Sequence, residues 1–319
     1  MEHKSNKKVI SRRNAGIGDN LLATAHAWYY AKKTNRALVI NWAPSMYFSD
    51  KSKNAFGTFF EVPDEIDGVR IIYEENVGLL KRLLRRLPLF PFRFFLPVVF
   101  IEVVHKFLRG RTPSSMMRLR EKRRAWSIDL IENGTDCGRD TVVFNTHFNF
   151  LDPQLLKPFF DGLKLKPRYQ EKIDGFSEHF FKSKIVIGMH IRYYDKSLPY
   201  SNHTPYWLEP EKSFDIIRSR VRELTANHGD NGYVVYLATD SKVVYDNLKD
   251  SIPNLVTYAK DFQSVTFTLT LHHRVDENSY EDDLIEMFLL ARSDILYRYP
   301  PSGSWFSYYG SLYAGEVII

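Results

Sequence analysis

The chain has 319 residues, of which 44% are hydrophobic and 26% charged, values typical of a globular protein that exclude a disordered, collagen-like or coiled-coil chain. Its single cysteine, Cys137, excludes a disulfide framework and a cysteine-rich metal site, and it fits a reducing compartment. The length suits one large domain or two of about 150 residues each, and because no apolar signal segment opens the sequence we expect a cytoplasmic protein.

The net charge of +6 comes from one segment of the chain. This basic segment, Lys81–Arg124, contains 13 lysines and arginines against two glutamates, a net charge of +11, so the remainder of the chain carries −5. Prolines and charges interrupt its apolar stretch, and a membrane-spanning helix is therefore not predicted. Two interpretations stay open: a peripheral contact with an anionic membrane or substrate, and a cationic insertion that packs its own leucines and phenylalanines on the domain. Because the rest of the chain is acidic, we do not expect a nucleic acid as partner.

The N-terminal region has the pattern of a strand, a helix and a second strand. The apolar run Val9–Ser11 predicts the first strand, and a glycine-rich turn, Asn14–Asn20, follows it. Leu21–Lys33 predicts a helix with basic residues in its last turn and Asn35 as a stop signal. Ala37–Trp42 predicts a second buried strand. This order is typical of a Rossmann-like domain with a parallel sheet.

Gly16, Gly18 and Asp19 lie in the turn that opens the first helix. Free backbone amides at such a place attract anions, so these residues are candidates for binding a phosphate. Leu21 stands where the dinucleotide motif has its third glycine, and the lysine of the Walker motif is missing, so NAD binding is not supported. A turn that merely joins strand to helix is the alternative.

A second alternation of strands and helices begins at about residue 184. Its predicted strands are 184–192, 233–237 and 295–299, and its predicted helices are 214–226, 242–249 and 281–292. Strands that alternate with helices form parallel sheets, which bind ligands at the carboxyl ends of the strands. We therefore predict an α/β fold with two Rossmann-like domains facing a cleft, residues 1–183 and residues 184–319.

His190 and Arg192 end the first strand of this second series. Alternation along a strand places both on one face, with Ile191 on the other. Arginine carries a permanent charge and a planar fork of donors, which suit a diphosphate. The alternative is a buried histidine beside a surface ion pair.

Polar residues also follow the other two strands of the series. Asp240 and Ser241 come after the second strand, and Asp240 either caps the next helix or accepts a hydrogen bond from a base or ribose. Ser302, Gly303 and Ser304 come after the third strand, where they either cradle a phosphate or cap a helix. The sequence contains no Asp-x-Asp or His-Glu-x-x-His motif, so no metal is implied.

A series of short motifs occurs along the chain in the order of one known family. They are Val9–Arg13, Gly16–Asp19, Ala27–Trp28, Ala31–Arg36, Asn54–Phe56, Phe59–Glu61, His190–Arg192, His203–Trp207, Thr239–Ser241, Glu286–Asp294 and Arg298–Pro301. Together they cover nearly the whole chain, which resembles the NodZ-type nodulation fucosyltransferases, relatives of the eukaryotic core α-1,6-fucosyltransferases. Each motif is weak alone, but their co-occurrence is specific.

The resemblance implies a GT-B-like pair of domains, with the acceptor on the side of residues 1–183, which contain a basic insertion near residues 79–124, and a GDP-sugar bound by residues 184–319. It implies GDP-fucose as donor, no metal, and inverting transfer to the 6-hydroxyl of N-acetylglucosamine in a chito-oligosaccharide. By matched position, His190 and Arg192 resemble the family's His-x-Arg donor motif. Asp240, Ser241, Glu286 and the loop Ser302–Ser304 are similar to other segments of its nucleotide site, so these residues are expected to bind the donor.

One loop departs from the family. The segment after the His-x-Arg motif carries a glutamate in the family, whereas Tyr193–Tyr200 contains none. We predict Asp195 as the base that activates the acceptor and His203 as the second candidate. The alternative is that Asp195 pairs with a neighbouring cation and His203 packs beside Trp207. Two other functions also stay open: transfer from another GDP-sugar such as GDP-mannose, and a non-catalytic basic protein that binds membrane or nucleic acid.

Overall fold

The computed structural model describes residues 7–13, 15–43, 48, 50, 52–75, 134–136, 138, 140–144, 151–193, 209–229, 231–258, 277–301 and 305–318, with the backbone alone at 277–280 and 305. The basic segment, Asp195, His203 and the loop Ser302–Ser304 lie outside this part of the chain. The chain forms two compact units, divided between Lys164 and Leu165, except that residues 15–19 group with the second unit.

The elements described in the first unit are β1 (Lys8–Ser11), α1 (Ile17–Lys33), β2 (Ala37–Ile40), α2 (Phe56–Phe59), β3 (Phe60–Glu61), β4 (Glu65–Ile66), β5 (Val69–Tyr73), β6 (Thr141–Phe144) and α3 (Pro153–Asp161), and β7 (Lys164–Leu165) lies at the division. Five strands form a sheet in the order β4-β5-β2-β1-β6. β5, β2, β1 and β6 are parallel neighbours, and only the short β4 runs antiparallel to its neighbour. The predicted parallel sheet is therefore confirmed in this unit.

Helix α1 begins at Ile17, before the predicted start at Leu21. Ile17 is buried, as is Leu21 one turn later, and Asp19 in the first turn interacts favourably with the positive end of the helix dipole. Gly18 and Asp19 are consequently part of the helix rather than of the turn before it. At the other end, Asn35 has a φ of 49°, a left-handed conformation that asparagine tolerates, and the predicted stop is confirmed.

A buried hydrogen-bond network joins α1 to the carboxyl ends of β1 and β2. The Thr24 hydroxyl donates to the carbonyl of Asn20 (2.7 Å) and accepts a hydrogen bond from Trp42 Nε1 (3.0 Å). Ser11 Oγ lies 2.8 Å from the same Thr24 oxygen. Since Thr24 has already donated its single proton, Ser11 is the donor of that bond. The network fixes the helix against the edge of the sheet where a ligand of a parallel sheet binds.

The side chain of Asn54 joins the chain after β2 to the chain after β5. Its Oδ1 accepts hydrogen bonds from the amides of Trp42 (3.0 Å) and Phe56 (3.3 Å), and its Nδ2 donates to the carbonyls of Ile40 (2.9 Å) and Glu74 (3.1 Å). The buried amide thus uses all four of its hydrogen-bonding positions. Because this side chain takes the amide of Trp42, β2 ends at Ile40 and not at the predicted Trp42.

The elements described in the second unit are α4 (Pro167–Phe180), β8 (Ile185–Ile191), α5 (Pro210–Thr225), β9 (Tyr233–Thr239), α6 (Lys242–Leu248), β10 (Leu255–Val256), α7 (Glu277–Leu290), β11 (Ile295–Tyr299), α8 (Trp305–Ser311) and β12 (Glu316–Ile318). Five strands form a sheet in the order β10-β9-β8-β11-β12, and every pair is parallel. The predicted strands and helices of this half are confirmed, with α5 and α7 starting about a turn earlier than predicted. The three-residue β12 was not predicted, because so short a run has no periodicity.

The two faces of this second sheet differ in chemistry. One face is apolar: Ile187, Met189 and Ile191 of β8 belong to a buried cluster with residues of α5 and α6 such as Phe214 and Val244. The other face carries Gly188, His190, Tyr236 and Arg298, and it is covered by α4, α7 and α8. A Cβ added to Gly188 would lie 2.1 Å from Ser293 Oγ, so glycine is what allows the chain after α7 to approach β8. The buried ionisable side chains His190 and Glu286 are therefore on the same side of the sheet.

The division near residue 164 differs from the boundary predicted at residue 183. Helix α4 belongs to the second unit because it packs on α7, and the rings of Phe176 and Phe181 each contact Tyr236 of β9 at 5.6 Å between centroids. Ion pairs from Asp174 to Arg292 and from Lys172 to Glu281 add to this packing. The acceptor and donor roles of the two domains stay predictions.

Within the described residues, no helix is long and apolar enough to cross a membrane.

Candidate functional site

Three strands of the second unit end at one edge of the sheet. Ile191 at the end of β8 is paired in register with Thr239 of β9 and with Tyr299 of β11. The next residues, Arg192 and Asp240, therefore emerge side by side, and the Arg192 amide donates a hydrogen bond to the carbonyl of Tyr299 (3.0 Å). The predicted convergence of these strand ends is confirmed. Parallel sheets bind their ligands at this edge.

Arg192 and Asp240 form an ion pair, with Nε 3.5 Å from Oδ2. The two side chains are 35% and 30% exposed, and pairs at such exposure contribute only about 0–1 kcal/mol. A phosphate offers the guanidinium a bidentate contact, and a hydrogen bond between charged groups is worth about 1.5–3 kcal/mol. The aspartate therefore orients Arg192 without preventing it from turning to an anionic ligand.

Ser241, and not Asp240, caps helix α6. The Ser241 hydroxyl accepts a hydrogen bond from the amide of Val244 (3.4 Å), and the Ser241 amide donates to Thr239 Oγ1 (3.3 Å). The capping role considered for Asp240 is thus wrong, because the serine one position later already satisfies the helix end. The Asp240 carboxylate is left at the strand edge beside Arg192. Ser241 stabilises the start of helix α6, which follows that strand edge.

His190 lies below this edge on the polar face of the sheet. It is 7% exposed, and its ring stacks on Phe306 of α8 with centroids 5.4 Å apart and planes inclined by 24°. Its register partners are Ala238 on β9 and Arg298 on β11. The histidine is thus buried, as one interpretation of the sequence held, but it lies directly beneath Arg192.

Glu286 is a carboxylate in the buried part of α7. It is 2% exposed, and α7 packs on both β8 and β9. Burial, followed by the charges of Glu286 and Tyr258, raises the pKa of the Tyr236 hydroxyl well above its ordinary value. Glu286 is therefore close to Tyr236, whose buried hydroxyl makes no hydrogen bond to any residue that the structure describes. An acidic, water-poor environment results on the β9 side of the polar face.

Arg298 lies near these residues, and the sequence interpretation gave it no role although it belongs to the motif Arg298–Pro301. It lies on β11 on the same face as His190, partly buried, and burial lowers the pKa of its guanidinium below the ordinary value. Its Nε is enclosed and makes no hydrogen bond in the described part of the chain. The signal available in the sequence was one cation inside the otherwise apolar and aromatic strand Ile295–Tyr299. The polar face thus has an acid toward β9, a histidine in the centre and an arginine toward β11.

The remaining candidates lie at the start of α1 or outside the described part of the chain. Gly16 precedes α1 and has open space where a Cβ would be, and Gly18 and Asp19 lie in the first turn of the helix. The donor-binding role of these three residues stays a prediction. The roles predicted for Asp195, His203 and the loop Ser302–Ser304 also stay predictions. Among the described side chains, no cluster of three or more His, Cys, Asp or Glu residues is arranged to hold a metal ion.

Comparison with known proteins gives the family and the fold of this chain. The family described as Nodulation protein Z (NodZ) matches residues 5–319. Nodulation protein Z of Bradyrhizobium diazoefficiens is 30% identical over 97% of this chain and 80% of its own length. A crystal structure of NodZ alpha-1,6-fucosyltransferase soaked with GDP-fucose superimposes with a TM-score of 0.70 at 25% identity, covering 98% of this chain and 94% of the other. Arabidopsis thaliana FUT1, a mutant in complex with GDP, shares the fold alone, with a TM-score of 0.58 at 13% identity over 99% of this chain and 70% of the other.

Proposed function

This chain belongs to the Nodulation protein Z family, and on that premise we propose that it transfers fucose from GDP-fucose to an oligosaccharide. The observation that carries the proposal is the placement of Arg192 and Asp240 at the carboxyl edge of the second sheet, above His190. The fold and the family's GDP-fucose complex support the donor assignment. The acceptor is the 6-hydroxyl of N-acetylglucosamine in a chito-oligosaccharide, and transfer proceeds with inversion.

In this mechanism Arg192 stabilises the leaving group. When the bond between fucose and the diphosphate breaks, the sugar becomes cationic and negative charge develops on GDP. A guanidinium already oriented at the strand edge neutralises that charge without a metal ion, because it is protonated at any working pH. Gly16, Gly18, Asp19 and the loop Ser302–Ser304 supply backbone amides to the same diphosphate.

Glu286 recognises the guanine base. The base presents two neighbouring donors, N1–H and the exocyclic amine, which match the two oxygens of one carboxylate. A carboxylate buried in α7, on the polar face of the sheet and in a water-poor environment, makes such hydrogen bonds strong. Uracil and adenine do not present this pair of donors, so the arrangement selects GDP over UDP and ADP.

Donor and acceptor specificity are tested by offering the purified protein labelled GDP-fucose and GDP-mannose with a panel of chito-oligosaccharides. We expect transfer from GDP-fucose, a product linked through the 6-hydroxyl with inverted anomeric configuration, and the same rate in EDTA. Transfer from GDP-mannose alone would reassign the donor, and loss of activity in EDTA would show that a metal takes part. If neither donor is hydrolysed or transferred, the result would favour a non-catalytic basic binding protein.

Asp195 is the proposed base that removes the proton of the acceptor hydroxyl. Asp195→Asn keeps the shape of the side chain but removes its basicity, so we expect turnover to fall by about tenfold or more while GDP affinity stays within about twofold. The matched variant is His203→Asn. Turnover that is unchanged in Asp195→Asn and lowered in His203→Asn would assign the role to His203, and unchanged turnover in both would place the base elsewhere.

A further inference from the structure

Arg298 is a partly buried arginine that forms no ion pair with any carboxylate in the described part of the chain. Arg36, Arg218 and Arg292 are each ion-paired with an aspartate, respectively Asp136, Asp215 and Asp174. Arg298 makes no ion pair and no hydrogen bond with any residue that the structure describes, although its Nε is enclosed by protein atoms. Burying a cation without a counter-charge destabilises a fold, and proteins compensate such charges by pairing or by a ligand. The described contacts of the unit therefore do not compensate the charge of Arg298.

The position of Arg298 indicates which kind of ligand supplies that compensation. It is the register partner of His190 and lies one residue before Tyr299, whose carbonyl accepts the hydrogen bond from the Arg192 amide. Leu296, two residues earlier on the same strand face, packs against Gly310 of α8, which places Arg298 on the side of the sheet that bears His190. The opposite face is apolar and packs on α5 and α6. The guanidinium thus lies on the polar face, close to the carboxyl edge of the sheet.

A diphosphate carries more negative charge than one arginine neutralises. Arg192 is near the β9 side of the edge, where it contacts Asp240, while Arg298 is on the β11 side of His190. Two cations on neighbouring strands match a ligand whose charged oxygens are distributed over two phosphorus atoms. Glu286, beside Tyr236 of β9, is on the other side and receives a neutral base with hydrogen-bond donors.

We propose that Arg298 binds the diphosphate of the GDP-sugar donor as a second cation beside Arg192. This inference rests on the proposed function and adds a residue that neither the sequence motifs nor the family assignment gave a role. Binding supplies a counter-charge that the described residues do not, and the planar guanidinium presents its terminal nitrogens to the phosphate oxygens. Arg298 then contributes to donor affinity chiefly through phosphate and not through the base or the sugar.

The test measures binding of GDP and of guanosine to the wild type, Arg298→Gln and Arg298→Lys. We expect Arg298→Gln to weaken GDP by about tenfold, as for loss of one charge-assisted hydrogen bond, and to leave guanosine within about twofold. Arg298→Lys keeps the charge and should recover part of the affinity for GDP. The salt dependence of GDP binding should also become less steep in Arg298→Gln than in the wild type.

Arg292→Gln is the matched control, because Arg292 is an arginine next to the same sheet that is more exposed and is paired with Asp174 near the opposite, amino edge. It should leave the affinities for both ligands unchanged. Equal losses for GDP and guanosine in folded Arg298→Gln, or no loss for either, would overturn the proposal. A wild-type protein that binds GDP no better than UDP would instead contradict the proposed function, so the two failures are distinguishable.

Discussion

Arg192→Ala is expected to lower the rate of fucosyl transfer by roughly 10²–10³-fold, the typical effect of removing one preorganised group that stabilises developing charge. The loss should appear mainly in kcat, because the charge on GDP is greater in the transition state than in the bound donor. The protein should remain folded, since the Arg192 backbone amide, and not its side chain, bonds to Tyr299. The ion pair with Asp240 is partly exposed, so its loss costs about 0–1 kcal/mol and lowers Tm by only a few degrees.

Two variants separate this role from a general effect of removing charge. Arg220→Ala removes an arginine of α5 that is ion-paired with Glu223 at 2.6 Å, and it should leave the rate unchanged. Arg192→Lys keeps the charge but not the planar fork, so an intermediate rate is expected. Full transfer activity in Arg192→Ala would remove this residue from the mechanism, and a comparable loss in Arg220→Ala would show that net charge matters rather than position.

Glu286→Gln is expected to weaken GDP binding by roughly 10–100-fold and to abolish the preference for guanine. Glutamine presents one acceptor and one donor where glutamate presents two acceptors, so one donor of the base loses its charged partner, a cost of about 1.5–3 kcal/mol. The most discriminating measurement compares the affinity for GDP with that for inosine diphosphate, which lacks the exocyclic amine of guanine. The wild type should bind GDP more tightly than inosine diphosphate by about tenfold or more, and the variant should bind the two nearly equally.

The control for this variant is Tyr236→Phe, which removes the hydroxyl beside Glu286 and keeps the ring contacts with Phe176 and Phe181. It should retain the preference for GDP over inosine diphosphate. A ratio that Glu286→Gln leaves unchanged would show that the carboxylate does not read the base, and Asp240 would become the candidate. Thermal unfolding of each variant checks that the buried substitution leaves the unit folded.

The sequence was sufficient to predict where the strands end, but not the local contacts that the neighbouring polar residues make. Apolar periodicity predicted β8, β9 and β11, and once those strands are parallel, Arg192 and Asp240 must meet at one edge. The local competition between Asp240 and Ser241 for the cap of α6 was decided by backbone geometry that periodicity does not contain. The start of α1 was placed too late because glycine and aspartate are turn formers, whereas burial of Ile17 favours the helix.

Residues whose role depends on neighbours from distant parts of the chain could not be found in this way. Arg298 becomes informative only when the register places it beside His190, and Tyr236 only when α7 brings Glu286 against it. Asn54 belongs to a motif that was recognised, but the sequence does not show what its side chain does. It bonds to backbone groups of Ile40, Trp42, Phe56 and Glu74, which lie in three separate segments. Such roles follow from tertiary structure and not from local pattern.

The unequal faces of the second sheet have a consequence for how this family diversifies. Residues that secure the unit, such as Ile187 and Met189, point toward α5 and α6, whereas His190 and Arg298 point the other way, and the two sets are joined only through the backbone of the strands. Side chains on opposite faces of a strand share few contacts, and substitutions without shared partners usually have additive effects on free energy. Mutational drift can therefore alter which nucleotide or sugar is accepted without requiring compensating changes in the apolar core, and new donor specificities are accessible by single steps on one face.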